Sequence, residues 1–154
     1  PLQISRKIDY GLRAMVFLAS MPDGEVIPFR EVARRMDVPE EFLAKILKTL
    51  VGRKLVQSTR GARGGYRLAR PAAEISMLDV IEAVEGPVRV NVCQDNHEAC
   101  KLSRSCTMYG VWKLGQERML EVYRGARLDR LAMTELSRAD ARPLPGPRPG
   151  QGTT

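Results

Sequence analysis

The stretch from Pro39 to Ala69, PEEFLAKILKTLVGRKLVQSTRGARGGYRLA, decides the reading of this chain. Its first part is helical in pattern. Phe42, Leu43, Ile46, Leu47 and Leu50 recur at the three- and four-residue spacing that puts apolar side chains on one buried face. Pro39 has no N–H to donate and a fixed φ, so it belongs at a helix start, and Glu40 and Glu41 suit the positive end of the helix that follows, which runs to about Arg53. The second part changes period. Lys54–Ser58 and Tyr66–Ala69 are short and partly apolar, and Thr59–Gly65 between them is rich in glycine, which predicts a β-hairpin.

Working outward, Ile4–Ser20 reads as a first helix, closed by the turn Pro22-Asp23-Gly24. Phe29–Met36 is a short second helix, separated from the third by Asp37-Val38-Pro39. Pro71–Ile75 is a connector. Ser76-Met77-Leu78-Asp79 then matches the capping-box start of a fourth helix, which stops at Gly86-Pro87. Met108 to about Tyr123 is a long helix whose apolar set is wider than one stripe, which predicts a second buried face against a partner chain. Residues 128–136 suggest one more short helix, and Ala141–Thr154 is Pro- and Gly-rich without apolar pattern, a composition expected to be disordered. The expected architecture is mainly α with a small β-hairpin wing: a winged helix-turn-helix over residues 1–86, a cysteine loop over 87–107, a dimerisation helix region over 108–138 and a disordered tail over 139–154.

Charge separates the two halves. Residues 1–70 hold 14 Lys and Arg against 7 Asp and Glu, whereas residues 71–154 hold 11 of each. A basic half predicts a polyanionic partner, most simply double-stranded DNA. A helix fits the major groove and presents its N-terminal side chains to base edges. The expected DNA-facing residues are therefore Glu40, Glu41, Lys45, Lys48 and Thr49 on the third helix, with Arg60 and Arg63 at the hairpin tip. The opening segment carries Arg6, Lys7, Asp9 and Arg13, unlike a signal peptide, and no run is long and apolar enough to span a bilayer. A cytoplasmic protein without a membrane partner or small-molecule substrate is expected.

The three cysteines, Cys93, Cys100 and Cys106, form a C-x6-C-x5-C pattern in a segment without clear periodicity. In a cytoplasmic chain such thiols point to metal or redox chemistry rather than disulfide staples. Thiolates select iron–sulfur clusters, zinc or copper(I). Three do not fill a four-ligand site; further donors are His97, Asp95, Glu98, or a carboxylate from elsewhere, especially Asp9. A zinc-binding or metal-free thiol-switch regulator is the alternative. Catalysis is not expected: the only histidine is His97, so no Cys–His–Asp or Asn set emerges, and Gly61, Gly64 and Gly65 sit in a hairpin rather than opening a helix as a phosphate loop would.

Over residues 2 to about 136 the chain resembles the family of iron–sulfur cluster regulators and nitric-oxide-sensing repressors of bacteria. The resemblance is carried by LQISRKIDYGLRAMVFLA (2–19), VPEEFLAKILKTLVGRKLVQSTRGARGGYRLARP (38–71), ISMLDVIEAVEGP (75–87) and the three cysteines. It implies a homodimer whose winged helices read a roughly palindromic operator. It also implies a long dimerisation helix and an iron–sulfur cluster, 2Fe-2S or 4Fe-4S, held by Cys93, Cys100 and Cys106, whose state controls DNA affinity or sequence choice. The details favour the nitric-oxide sensors. Tyr109 stands where the cluster-assembly regulators of the family place a ligand histidine, and Asp9 matches the aspartate that the sensors supply from the first helix of the other subunit. Ala44 replaces the glutamate that helps the cluster-assembly regulators choose sequence, and the first cysteine gap is one residue longer than the commonest family spacing.

Overall fold

The computed structural model describes residues 3–132. Its helices are α1 (Arg6–Ser20), α2 (Phe29–Met36), α3 (Glu40–Gly52), α4 (Met77–Glu85) and α5 (Tyr109–Gly125), with strands β1 (Val56–Thr59) and β2 (Gly65–Leu68) between α3 and α4. This is the order of a winged helix-turn-helix followed by a long helix. Residues 128–132 begin a further helix. The proposed tail and the last residues of the 108–138 region lie outside the described residues.

Local chemistry accounts for most boundaries. Helix α1 starts at Arg6 rather than Ile4, because Ser5 is its N-cap and accepts a hydrogen bond from the Ile8 N–H at 3.2 Å. Between α2 and α3, Asp37 takes a left-handed conformation (φ 52°), which aspartate tolerates better than most residues, and Val38 is buried. Those two residues and Pro39 make the sharp turn that sets α3 across α2. Helix α4 has the expected capping box: Ser76 Oγ accepts from the Asp79 N–H at 3.0 Å, and Asp79 Oδ2 accepts from the Ser76 N–H at 2.8 Å.

One core serves the helical part. Met15 of α1, Val32 of α2, Leu43, Ile46, Leu47 and Leu50 of α3, and Val80 and Ile81 of α4 are all buried within it. Gly11 allows α1 to approach closely, since a Cβ there would lie 3.0 Å from Val84 Cγ2 and 3.5 Å from Ile46 Cγ2. The core also holds Leu128, whose N–H donates to the Ile75 carbonyl at 2.9 Å, while the Met77 N–H donates to the Ala126 carbonyl at 2.7 Å. These bonds fix the C-terminal end of α5 to the start of α4. The rest of α5 is different. None of its residues is buried, and Val111, Leu114 and Val122 are each more than half exposed. The long helix thus presents an apolar face that the described chain does not cover.

Candidate nucleic-acid interface and cysteine loop

Helix α3 and the hairpin that follows it carry exposed cations of the basic half, Lys45, Lys48, Arg60 and Arg63. Leu43, Ile46, Leu47 and Leu50 face the core, which leaves Glu40, Glu41, Ala44, Lys45 and Lys48 exposed and Thr49 half-buried. Thr49 Oγ1 donates to the Lys45 carbonyl at 3.1 Å, so its hydroxyl is already partly engaged. Phe42 departs from the sequence reading. Periodicity puts it on the buried face, yet it is 51% exposed, with its ring against that of Tyr10 at a centroid distance of 6.2 Å.

Strands β1 and β2 pair antiparallel from Val56↔Leu68 to Thr59↔Gly65, which puts residues 60–64 at the tip with Arg60 and Arg63 exposed. The Gly64 N–H closes the tip on the Gly61 carbonyl at 2.9 Å. The hairpin is anchored at its base by a pairing that periodicity does not reveal. Ile27 and Tyr66 exchange both backbone hydrogen bonds at 2.9 Å, so the segment before α2 acts as a one-residue third strand. Gly65 makes this possible. Its φ is +154°, and a Cβ there would lie 2.1 Å from the Ile27 carbonyl oxygen. The tip therefore projects from a base tied to the helical core.

The cysteine loop lies at the other end of the chain, before α5. Cys93, Cys100 and Cys106 line a single cavity of about 520 Å³, together with Met108, Tyr109 and Trp112 from the start of α5. All three are free thiols; Cys100 is exposed and the other two are half-buried. Short 3-10 turns shape the loop, each started by an asparagine side chain that accepts a backbone N–H: Asn91 from Val92 at 2.8 Å and Asn96 from Glu98 at 3.0 Å. A bond from the Val90 N–H to Gln116 Oε1 at 2.9 Å ties the loop to the middle of α5.

The other donors stand apart from this cavity. His97 packs edge-on against Tyr109 at 4.7 Å and is not among the residues that line the cavity, and Asp95 pairs with Arg89 at 3.3 Å. Asp9 is on α1, half exposed, with Arg13 Nη2 at 2.7 Å from its Oδ2. Among the described residues no group of three His, Cys, Asp or Glu side chains is close enough to hold a single metal ion. The donors that do share a cavity are three soft thiols, the set that suits a multi-iron cluster.

Residues 4–134 match the model of the Rrf2 family, described as iron-dependent transcriptional regulators. The chain belongs to the Rrf2 family. An HTH-type transcriptional regulator of Mycobacterium tuberculosis is 42% identical over 87 residues, 56% of this chain and 54% of that one, so this Rrf2 chain spans about half the length of that relative. Protein aau3 of Rhizobium meliloti is 33% identical over 132 residues, 84% of each chain. Among solved structures, CymR, the global cysteine regulator of B. subtilis, superposes with a TM-score of 0.70 at 28% identity, covering 87% of this chain and 98% of that one. IscR of T. potens superposes with a TM-score of 0.68 at 29% identity, covering 88% and 90%. The winged-helix architecture read from residues 39–69 is thus the architecture of the Rrf2 regulators.

No helix among the described residues is long and apolar enough to cross a membrane.

Proposed function

We propose that this Rrf2 chain is a DNA-binding transcription regulator, acting as a repressor, whose operator affinity is set by an iron–sulfur cluster on the loop of residues 87–107. The observation that carries the reading is the sharing of one cavity by Cys93, Cys100 and Cys106 at the foot of α5. Residues 1–86 bind a double-stranded operator. Lys45, Lys48, Arg60 and Arg63 supply cations to phosphates or the minor groove, and Glu40, Glu41 and Thr49 lie where base edges pass. Residues 108–138 form the homodimer, which covers the exposed Val111, Leu114 and Val122.

In this reading the three thiolates hold the cluster and Asp9 of the partner subunit completes it. A carboxylate is a harder and weaker match to iron–sulfur chemistry than thiolate, so that corner is the labile one. The cluster, when bound, supplies iron that reacts with nitric oxide or oxidants. Asp9 is half exposed and held by Arg13, free of the core, so leaving Arg13 for another partner disrupts no packing. Release of Asp9 on α1 would reach α3 directly, since Tyr10 of α1 packs on Phe42 of α3.

A metal-free thiol switch is the second reading, favoured by the exposure of Cys100 and by the likeness to CymR of B. subtilis, a cysteine regulator, and to CymR of Staphylococcus aureus, solved in an oxidised form. Anaerobic isolation separates the readings. The cluster reading expects brown protein with iron and acid-labile sulfide, and loss of the colour on replacing any of the three cysteines by alanine. Colourless protein with stoichiometric zinc, or with no metal, would sink it.

A further inference from the structure

The groove-facing turn of α3 is not uniformly polar. Phe42 is the third residue of the helix and 51% exposed, whereas Leu43 beside it is fully buried. A single exposed aromatic is ordinary on a protein surface, but this one is fixed from behind and open in front. Its ring leans on Tyr10 at 6.2 Å with an interplanar angle of 56°, and the Arg13 guanidinium lies 5.6 Å over the other ring of that pair. Lys45 and Thr49 follow Phe42 at three- and four-residue steps, so the three share one edge of the helix, with Lys48 adjacent. An apolar ring is thus presented at the helix N-terminus between cations suited to phosphates.

We propose that Phe42 is a specificity-determining residue that receives the 5-methyl group of a thymine in the major groove; the inference rests on the DNA-binding reading above. The base-pair edges in that groove carry hydrogen-bond donors and acceptors, and the thymine methyl is the one apolar group among them. A phenyl ring cannot replace the water hydrogen bonds of an amino group or carbonyl, so seating it over any other edge carries a desolvation cost. Against a methyl it buries apolar surface on both sides. Tyr10 is the positioning residue. It fills the space behind the ring and keeps Phe42 from folding back along α1.

The test uses the full chain purified anaerobically and a pool of random duplexes of about 30 base pairs, long enough for two half-sites. The best-bound duplex is remade with each thymine replaced singly by deoxyuridine, which removes only the methyl group, and affinities are read by fluorescence anisotropy at one salt concentration. At one position per half-site the wild-type protein should lose about fourfold in affinity, the value of one buried methyl group. Phe42→Ala should bind the thymine and deoxyuridine duplexes equally at that position, and Phe42→Leu should show a smaller loss than wild type. If Phe42→Ala does not fold, Phe42→Leu decides, and a leucine profile identical to wild type overturns the assignment. Failure of the pool to yield any preferred duplex refutes the DNA-binding reading and the proposal with it. A preferred duplex indifferent to every methyl removal, or a loss that persists in Phe42→Ala, overturns the role of Phe42 and leaves DNA binding standing.

Discussion

Replacing Gly65 by alanine should detach the wing from the helical core. The added Cβ would meet the Ile27 carbonyl oxygen at 2.1 Å, the Ile27 carbonyl carbon at 2.5 Å and the Pro28 nitrogen at 2.9 Å. All three are backbone atoms, so no side chain can swing aside, and the Ile27–Tyr66 pair must separate. That forfeits two backbone hydrogen bonds, each about 1 kcal/mol net. The backbone at φ +154° adds strain of about 1–3 kcal/mol for a residue with a Cβ. The total is about 3–5 kcal/mol, a large share of the roughly 5–15 kcal/mol that holds a domain of this kind together. Gly61→Ala is the matched control: φ is +106° there but nothing lies within 4 Å, so only the strain applies. Urea denaturation followed by circular dichroism, at one protein concentration because the chain is read as a dimer, measures both. A Gly65→Ala protein within about 0.5 kcal/mol of wild type, or no less stable than Gly61→Ala, would refute the claim that this glycine is what lets the wing dock.

Other outcomes follow from the same geometry. Arg60→Ala and Arg63→Ala should each weaken operator binding without unfolding the chain, and removing one arginine–phosphate pairing should reduce the slope of log affinity against log salt by about one; unchanged affinity and slope in both would mean that the hairpin does not touch DNA. Ser76→Ala removes one half of the capping box on α4 and should cost about 1–2 kcal/mol in urea denaturation, since Ser76 is buried and Asp79 Oδ2 would keep only the backbone bond. Asp9→Ala should leave the three thiols able to hold a cluster but speed the disappearance of its visible absorbance under nitric oxide or oxygen, whereas His97→Ala should change little. The reverse pattern would place the fourth ligand in the loop.

The parts of this fold that can be read in advance are those set by neighbours in sequence. Pro39, Ser76 and Asp79, and Gly61 and Gly64 act within a few residues of themselves, and the elements they bound appear where the pattern puts them. The wide apolar set of α5 is also informative: Trp112, Met119 and Tyr123 fall on one stripe and are half-buried, whereas Val111, Leu114 and Val122 fall on another and are exposed. Phe42 escapes the pattern because helical periodicity says which residues share a stripe but not which of them stand at its edge, where Tyr10 rather than the core is the neighbour. The Ile27–Tyr66 bridge and the pairing of Ser76 with Arg127 are invisible for a different reason: each joins distant segments through backbone atoms, which leave no side-chain pattern. The grouping of the cysteines is predictable only as something an irregular loop allows. The partners in their cavity wall, Met108, Tyr109 and Trp112, come from the start of α5, and no spacing rule connects them to Cys93.

One anaerobic titration tests whether the cysteine loop controls DNA affinity. A selected duplex is titrated with the brown protein, and the complex is then exposed to nitric oxide while visible absorbance and duplex anisotropy are followed in the same cuvette. Anisotropy should fall toward that of free DNA in step with the fading of the cluster absorbance. Anisotropy that stays constant while the colour disappears would contradict that control.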